Sequence, residues 1–273
     1  MNLEVLVVTM NQKDTFLAEK MNLSCDVVIA NQCGRWDYTE KNVDNRTVRM
    51  ISSDTIGVGL NRNLAMQIAK ADILLFADDD ATYYDDTPES VVDAFRKLPD
   101  ADVILFGLDY TRNGEIYERR RCKTERAYLW NSMKYGACRM AVRRSSIQSK
   151  NIWFTTLFGG GCIYGCGEDS IFLRNCFRSG LKVYTYSHVL GTCAKDQSSW
   201  FTGFNEKYFF DKGAMLACAF PKIKHLIKWY YIVKFSRKTD LPFSTVIKET
   251  NKGIKAFQNL ESFEKSRKKE VGL

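Results

Sequence analysis

Short aliphatic runs, each followed at once by polar side chains, constrain the fold of this chain more than any other feature. A run of about five apolar residues with polar boundaries is typical of a strand that is buried on both faces in a parallel sheet. Residues 13–20 and 60–70 have helical patterns and lie between such runs. Strand, helix, strand units of this kind predict a doubly wound α/β sheet. The runs are LEVLVV (3–8), DVVIA (26–30), ILLFA (73–77) and DVILF (102–106).

The middle of the chain predicts additional elements. Asn113-Gly114 is a strong hairpin-turn signal, so the sheet should gain an antiparallel portion there. Gly180 should end the helix over 169–177. We therefore expect a mixed, mainly parallel sheet flanked by helices. The other predicted elements are strands at 48–51, 139–142 and 182–186, and a helix over 89–97 that begins at Pro88.

After about residue 205 the pattern predicts helices only, and the charge changes with it. Residues 206–273 hold 15 Lys and Arg and 7 Asp and Glu, which accounts for the whole net charge of +8. An excess of positive charge in one segment indicates an anionic partner surface. We predict a catalytic domain over 1–205, with halves at about 1–100 and 101–205, and a basic helical extension over 206–273.

Hydropathy and cysteine usage predict a cytoplasmic protein. No run approaches the about 18 apolar residues of a membrane span, and MNLEVLVVTMNQ is not a signal peptide. Nine scattered cysteines favour reduced thiols over a disulfide framework. A zinc site at Cys162, Cys166, Cys176 and Cys193 is a weaker alternative, because paired C-x-x-C motifs or histidine partners are lacking.

Polar residues follow three of the predicted strands. Ligands bind at the carboxyl ends of strands in open α/β sheets, so residues 9–11, 31–35 and 78–80 should line one cleft. Asp78 and Asp80 form a D-x-D that suits a hard divalent cation bridging diphosphate oxygens. The pattern predicts a nucleotide-diphosphate substrate, and a solvated acidic turn is the alternative.

A second acidic motif, Gly167-Glu168-Asp169, ends a glycine-rich loop and begins a helix. A carboxylate there suits a positioned general base. Alternatively, the two acids only complement the dipole of the helix that follows.

Together these motifs resemble the inverting family-two glycosyltransferases of the GT-A fold, of the kind that build bacterial polysaccharides. The resemblance covers about residues 3–190 and carries the motifs in the order of that family. They read VLVVTMNQ, GLNRNLAMQIAKADILLFADDDA, GACRMAVRRSSI and GEDSIFLRNCFRSGLKVYTY.

The resemblance implies a role for each matching residue. Asp80 would be the main metal ligand, for Mg²⁺ or Mn²⁺, with Asp78 beside it near the metal or the ribose. Asp169 would be the catalytic base, and Glu168 would orient the acceptor. The implied donor contacts are Thr9, Asn11, Asn31, Arg62, Asp78 and Asp79, while Asn63 would support the loop.

Two departures from the family pattern affect these roles. The family usually has acidic residues where this chain has Asn31 and Gln32, although an amide can pair with the same edge of uracil. The family also often has a histidine at about Gly191 or Thr192, so His188 is a displaced metal ligand or an ordinary strand residue.

The implied activity is metal-dependent, inverting transfer of a hexosyl or N-acetylhexosaminyl group from a nucleotide-diphosphate sugar, with UDP favoured. The acceptor would be a glycan or a lipid-linked oligosaccharide in the synthesis of cell-surface polysaccharide such as capsule. The alternatives are a nucleotidyltransferase and a non-catalytic nucleotide-sugar-binding scaffold. The first lacks its glycine-rich phosphate loop after the first strand, where Thr9-Met10-Asn11-Gln12 stands.

The basic amphipathic stretch over 221–238 has two possible roles. Ile223, Leu226, Ile227, Tyr230 and Val233 should share one helix face, among lysines and aromatic residues. This composition is typical of a helix on an anionic membrane, here the inner face, and equally of a helix packed on the catalytic domain. Trp200 is a candidate border of the acceptor site. A nucleic-acid partner is not expected, because no base-reading motif is present.

Overall fold

The structure is a computed structural model that describes residues 1–194 and 203–270. The chain forms two compact units, which are described separately. Unit 1 comprises Met1–Ile56, Leu60–Phe154 and the described residues from Phe172 to Ala194. Unit 2 comprises Gly57–Gly59, Thr155–Ile171 and the described residues from Gly203 onward. Trp200 lies outside the described residues.

Unit 1 is built on a mixed sheet with eleven strands in the described residues. The order is β3-β4-β2-β1-β5-β10-β7-β11-β6, with β8 on β7 and β9 on β11. Neighbours from β4 to β5 run parallel, and β10 is antiparallel to both of its neighbours. The strands are β1 Leu3–Met10, β2 Asp26–Gln32, β3 Asp37–Val43, β4 Arg46–Ser53, β5 Ile73–Asp78, β6 Ala81–Tyr83, β7 Val103–Arg112, β8 Glu115–Arg120, β9 Glu125–Arg126, β10 Met140–Arg143 and β11 Val183–Ala194.

Helices connect the strands and form the C-terminal part of the described chain. They are α1 Leu17–Lys20, α2 Val58–Ile68, α3 Thr87–Lys97, α4 Leu129–Ser132, α5 Arg144–Ser149, α6 Glu168–Arg178, α7 Glu206–Ala219, α8 Lys224–Ser236, α9 Phe243–Ala256 and α10 Phe263–Glu270.

Both faces of the central strands are buried, which explains the continuous apolar runs. Alternate residues of a strand point to opposite faces, so a strand covered on both sides is apolar throughout. Val5 and Leu75 belong to the core cluster that includes α1 and α3. Phe76, the next residue along β5, makes edge-to-face ring contacts with Phe154 and Phe172 instead. Of the ten strand pairings in the described residues, four are parallel and six antiparallel. The mixed sheet flanked by helices confirms the predicted α/β fold class.

A buried ion pair lies at the opposite end of β1 from the predicted cleft. The guanidinium of Arg49 donates to the carboxylate of Glu4 and to the carbonyl of Ile68. Glu4 also accepts from the backbone N–H groups of Lys70 and Ala71. A buried charge is tolerated only when it is paired and hydrogen-bonded, and Glu4 meets both conditions.

The structure confirms the predicted strands at 3–8, 26–30, 48–51, 73–77, 102–106, 139–142 and 182–186, several of them longer than predicted. The helix predicted over 13–20 was too long, because only Leu17–Lys20 is helical. The sequence did not indicate β3 or β6. β11 pairs with β6 through Gly191, where a Cβ atom would overlap the carbonyl oxygen of Thr82.

Unit 2 combines the glycine-rich segment Thr155–Ile171 with helices α7 to α10. Two glycines let α7 and α9 approach closely. A Cβ on Gly253 would overlap the carbonyl oxygen of Phe210, and one on Gly213 would overlap that of Thr250. No helix in the described parts of the chain is long and apolar enough to cross a membrane.

Helix α8 begins later than the sequence predicted, and its predicted apolar residues do not all lie on the buried side. It starts at Lys224, not at Pro221. Ile232 is buried against Phe209 and Val246, and Ile227 and Tyr231 pack at the neighbouring core cluster. The predicted apolar face is therefore divided, since Ile223, Leu226, Tyr230 and Val233 are exposed.

Candidate active site

The carboxyl ends of β1, β2 and β5 meet at one edge of the sheet. In the parallel register Thr9 lies beside Asn31, and Val8 lies beside Asp78. The residues that follow these strands are therefore neighbours, as expected for a doubly wound sheet. This edge of unit 1 holds Thr9, Asn11, Asn31, Asp78, Asp79 and Asp80.

Thr9 links the ends of β1 and β5. Its hydroxyl donates to Asp79 Oδ2 at 2.5 Å and accepts from Gln12 Nε2 at 3.2 Å. Asn11, with a φ of 57°, begins the turn after β1, and its N–H donates to the carbonyl of Gln32. Asparagine tolerates this left-handed conformation better than most residues. The turn therefore presents polar groups along the sheet edge.

Asn31 is fully buried, and its amide is engaged within the protein. The side-chain oxygen accepts from the N–H of Gln12 at 2.9 Å. The side-chain nitrogen donates to the carbonyl of Gln12 at 3.0 Å and to Ser52 Oγ at 3.1 Å. A direct contact between this amide and a base would have to replace these bonds. In this structure Asn31 holds the turn after β1 in place.

Arg62, on α2, neutralises one carboxylate of the acidic triplet. Its side chain is 4% exposed, and its guanidinium donates to Asp78 Oδ1 at 2.8 Å. The ring of Phe154 lies 5.1 Å from the guanidinium carbon, a cation–π distance. Asn63 in turn exchanges two hydrogen bonds with the backbone of Phe154, at 2.9 Å each. Asn63 thus holds the backbone that carries the Phe154 ring.

Asp80 carries the least compensated charge of the triplet. It is half-buried, and its Oδ1 accepts a weak hydrogen bond from Cys193 Sγ at 3.3 Å. Burial, together with the neighbouring Asp78 and Asp79 carboxylates, raises the pKa of Asp80 to about 6. A cation near these oxygens would relieve both the desolvation and the repulsion.

The acidic triplet offers only a few oxygen ligands, and these carry negative charge. Such a set fits a hard divalent cation that keeps several of its bound waters. No group of three or more His, Cys, Asp or Glu side chains placed to hold a metal occurs in residues 1–194 and 203–270. No disulfide bond is present in the described parts of the chain. His188 lies with Nε2 3.8 Å from Asp86 Oδ1, and burial lowers its pKa.

Glu168 and Asp169 lie in the first turn of α6, after the glycine-rich loop. Both are half-buried. The Glu168 carboxylate accepts from the N–H of Gly167 at 3.1 Å and packs against Gly159. Gly159 has a φ of 104°, and a Cβ there would lie 2.9 Å from the Glu168 carboxyl carbon. The loop conformation therefore depends on glycine at this position.

Helix α7 holds the glycine-rich loop from within unit 2. Asp211 Oδ2 accepts from the N–H of Gly165 at 2.9 Å and from Lys207 Nζ at 2.7 Å. Asp211 is buried, so these bonds are shielded from water. Met215 fills the space beside Gly167, where a Cβ would be too close. The loop that carries Glu168 and Asp169 is thus fixed by the C-terminal helices.

Several residues of the site were not singled out from the sequence. Gln12 and Phe154 contact candidate residues but were given no role, and Cys193, which contacts Asp80, was considered only as a zinc ligand. Asn61 donates to the carbonyls of Thr9 at 3.3 Å and Ala30 at 2.8 Å, and so joins the ends of β1 and β2. In the sequence, the one available signal for Asn61 was the set of polar residues on the buried face of α2.

Comparison with known proteins identifies the family. Residues 15–151, half of the chain, match the family profile described as Glycosyl transferase family 2. The chain belongs to glycosyl transferase family 2. The matched region includes the acidic triplet of unit 1 and ends before Glu168. A search among curated protein sequences gave no match.

Solved structures agree with this family assignment. Residues 1–349 of S. aureus TarS in complex with UDP-GlcNAc have a TM-score of 0.59 at 13% identity, over 96% of this chain and 93% of that one. The complex of the same fragment with UDP has a TM-score of 0.59 at 14% identity, over 100% and 92%. At these identities the likeness shows the fold, and the GT-A prediction is confirmed.

Proposed function

We propose that this family-2 enzyme is a metal-dependent, inverting glycosyltransferase. It takes a hexosyl or N-acetylhexosaminyl group from a nucleotide-diphosphate sugar and transfers it to an acceptor hydroxyl. The observation that carries the proposal is the acidic triplet at the carboxyl edge of the sheet. Arg62 pairs with Asp78 and Thr9 with Asp79, while Asp80 combines partial burial with repulsion from its neighbours.

The donor in this proposal is a UDP-sugar. TarS, which shares the fold, was solved with UDP-GlcNAc and with UDP, and this supports a uridine nucleotide. Thr9, Asn11, Arg62, Asp78 and Asp79 are the proposed donor contacts in unit 1. Asn31 supports the turn through Gln12, so its role toward the nucleotide is indirect.

The proposed cation is Mg²⁺ or Mn²⁺, with Asp80 as main ligand and Asp78 beside it. When bound, it supplies positive charge to the diphosphate that leaves the sugar. Arg62 holds Asp78 in place for this role, because its own guanidinium is buried and stacked on Phe154.

The proposed general base is Asp169, with Glu168 orienting the acceptor. Asp169 removes the proton of the acceptor hydroxyl as its oxygen bonds to the anomeric carbon. The bond from that carbon to the diphosphate oxygen breaks, and the nucleoside diphosphate leaves with the electron pair. Attack occurs opposite the leaving group, so the anomeric configuration inverts. The acceptor is a glycan or a lipid-linked oligosaccharide in cell-surface polysaccharide synthesis at the inner face of the membrane.

Replacing Asp169 tests the base. We expect Asp169→Asn to lower transfer by a factor on the order of hundreds and to leave donor affinity unchanged. Glu89→Gln is the matched control, because Glu89 is also an acid in the first turn of a helix, α3. If Asp169→Asn and Glu89→Gln reduced transfer equally, Asp169 would only complement the helix dipole.

Replacing Asp80 tests the metal site. Titration calorimetry with UDP and Mn²⁺ should show much weaker binding for Asp80→Asn, and EDTA should weaken binding to the wild type. Asp54→Asn is the control, since Asp54 follows β4 at the same edge of the sheet outside the triplet. Equal UDP affinity with and without EDTA would exclude a metal-dependent donor site.

The donor can be found by a thermal-shift screen of nucleotide sugars with Mn²⁺. A donor at a hundred times its dissociation constant adds about 2.7 kcal/mol of stability. Transfer assays with the best donor then measure release of nucleoside diphosphate. Tight binding without any turnover would favour the non-catalytic scaffold.

A further inference from the structure

Helix α8 has two apolar faces, and within residues 1–194 and 203–270 only one of them is used in packing. The inner face buries Ile232, and buried Lys228 donates to Asn251 Oδ1 at 2.9 Å on α9. The outer face exposes Leu226 by 73%, Tyr230 by 61% and Val233 by 51%. The helix is therefore already held in unit 2, and its outer stripe is not needed for folding.

The outer stripe is continuous along the helix. Leu226, Trp229, Tyr230 and Val233 are spaced at i, i+3, i+4 and i+7, which places them along one side. Ile223, just before the helix, is also half exposed. Single exposed apolar residues are ordinary, but a contiguous row on one helix indicates an interaction surface.

The Lys, Arg, Asp and Glu residues within the segment that carries this stripe are all of one charge sign. Residues 221–238 contain six Lys and Arg and no Asp or Glu. Lys222, Lys234, Arg237 and Lys238 are exposed, while Lys228 is buried. Lys234 lies with Nζ 3.2 Å from the hydroxyl of Tyr230, so basic and aromatic groups are interleaved. Aromatic residues with a polar tip, flanked by lysines, suit the boundary between lipid headgroups and acyl chains.

We propose that the outer face of α8, formed by Leu226, Trp229, Tyr230 and Val233 with the flanking basic residues, docks on an anionic lipid bilayer. The charge complementarity selects the occupant, because a purely apolar protein partner would not need four exposed cations around the contact. Docking would hold the enzyme at the surface where lipid-linked acceptors are found, and in this respect the inference extends the proposed function. The vesicle experiment below does not depend on transfer activity.

The test is co-sedimentation of the full chain with vesicles. We expect binding to phosphatidylcholine vesicles with 30 mol% phosphatidylglycerol, weaker binding as salt rises, and little binding to phosphatidylcholine alone. Each basic residue near an anionic surface contributes about fivefold, so Lys234→Gln with Arg237→Gln should weaken binding roughly 30-fold. Lys265→Gln with Lys268→Gln removes two exposed charges on α10 and is the matched control. Its binding to the vesicles should weaken only by the small amount that follows from the lower net charge of the protein.

The apolar contribution is tested by Leu226→Ser with Trp229→Ser. Both side chains are largely exposed, so the fold should be kept, and circular dichroism checks this. Binding to the anionic vesicles should fall about tenfold or more, since burying such side chains is favourable. Trp130→Ser, which alters a tryptophan exposed by 80% in unit 1, is the control and should bind as the wild type does.

Three outcomes would overturn the proposal. The first is no binding to anionic vesicles at low salt. The second is equal loss of binding in the α8 variants and in their controls. The third is self-association in analytical ultracentrifugation that Leu226→Ser with Trp229→Ser abolishes, which would assign the stripe to a second copy of the chain. Transfer to a water-soluble acceptor should be unchanged in these variants, so failure of docking is distinguishable from failure of the transferase proposal.

Discussion

The buried ion pair between Glu4 and Arg49 allows a quantitative test of what stabilises the end of β1 opposite the candidate site. The Glu4 and Arg49 side chains are 1% and 3% exposed. Glu4→Gln keeps the shape and an acceptor for the N–H groups of Lys70 and Ala71, but it leaves the Arg49 charge buried without a counter-ion. Breaking a buried pair in this way costs about 3–5 kcal/mol of unfolding free energy.

Arg49→Met should cost a similar amount, because it leaves the Glu4 carboxylate without its cation. In the double variant, Glu4→Gln with Arg49→Met, no buried charge remains. Its loss should therefore be close to that of one single variant, which corresponds to a coupling of about 3–5 kcal/mol between the two sites. Urea unfolding followed by far-UV circular dichroism measures all three values.

The control is the more exposed pair Arg46 and Glu19, whose atoms lie 3.2 Å apart with side chains 13% and 33% exposed. Glu19→Gln should cost less than about 1 kcal/mol, as exposed pairs do. A Glu4→Gln variant no less stable than Glu19→Gln, or strictly additive losses in the double variant, would contradict a stabilising role of the buried ion pair.

The remaining predictions concern helix packing and pH. Gly253→Ala should destabilise unit 2 by about 3 kcal/mol or more, because the new methyl group would overlap the backbone of Phe210. A thermal midpoint equal to that of the wild type would contradict the close packing of α7 on α9. Hydrogen bonds from Lys182 and Tyr184 hold the pKa of Asp100 below its ordinary value. Its contribution to stability is then present above that ordinary value and is lost as the pH falls through the lowered one. Asp100→Asn should therefore cost a little stability at pH 7 and less as the pH falls, and a difference in urea midpoint that grows on acidification would contradict this.

Strands buried on both faces could be predicted from the sequence, and exposed ones could not. β1, β2 and β5 are continuous apolar runs because helices or aromatic side chains cover both sides. β3, with the sequence DYTEKNV, is mostly exposed and is a strand only because it pairs with β4. Nothing local distinguishes such a segment from a polar loop, since its hydrogen-bond partner determines its structure.

The edge that holds the candidate site was predictable from strand direction, whereas the contacts within it were not. Parallel strands bring Thr9, Asn31 and Asp78 to one edge whatever their partners are. The bonds from Asn31 to Gln12 and Ser52 depend on tertiary geometry, and they change the role that an amide at this position can have. The functional roles of these residues and of Asp169 remain predictions.

Periodicity also could not tell which side of α8 faces water. Residues at i, i+3, i+4 and i+7 define a face, but α8 has apolar residues on both of its faces. The packing of Ile232 against Phe209 and Val246, and of Ile227 and Tyr231 at the neighbouring core cluster, distinguishes the inner face from the outer one.

The bond between Asp211 and Gly165 has a consequence for how this chain can be re-engineered. The segment that bears Glu168 and Asp169 belongs to the same compact unit as residues more than forty positions further along. A chimaera that exchanges the C-terminal helices for those of another enzyme must therefore exchange the glycine-rich segment with them. Trimming those helices should silence the enzyme even though they contribute none of the proposed chemical groups.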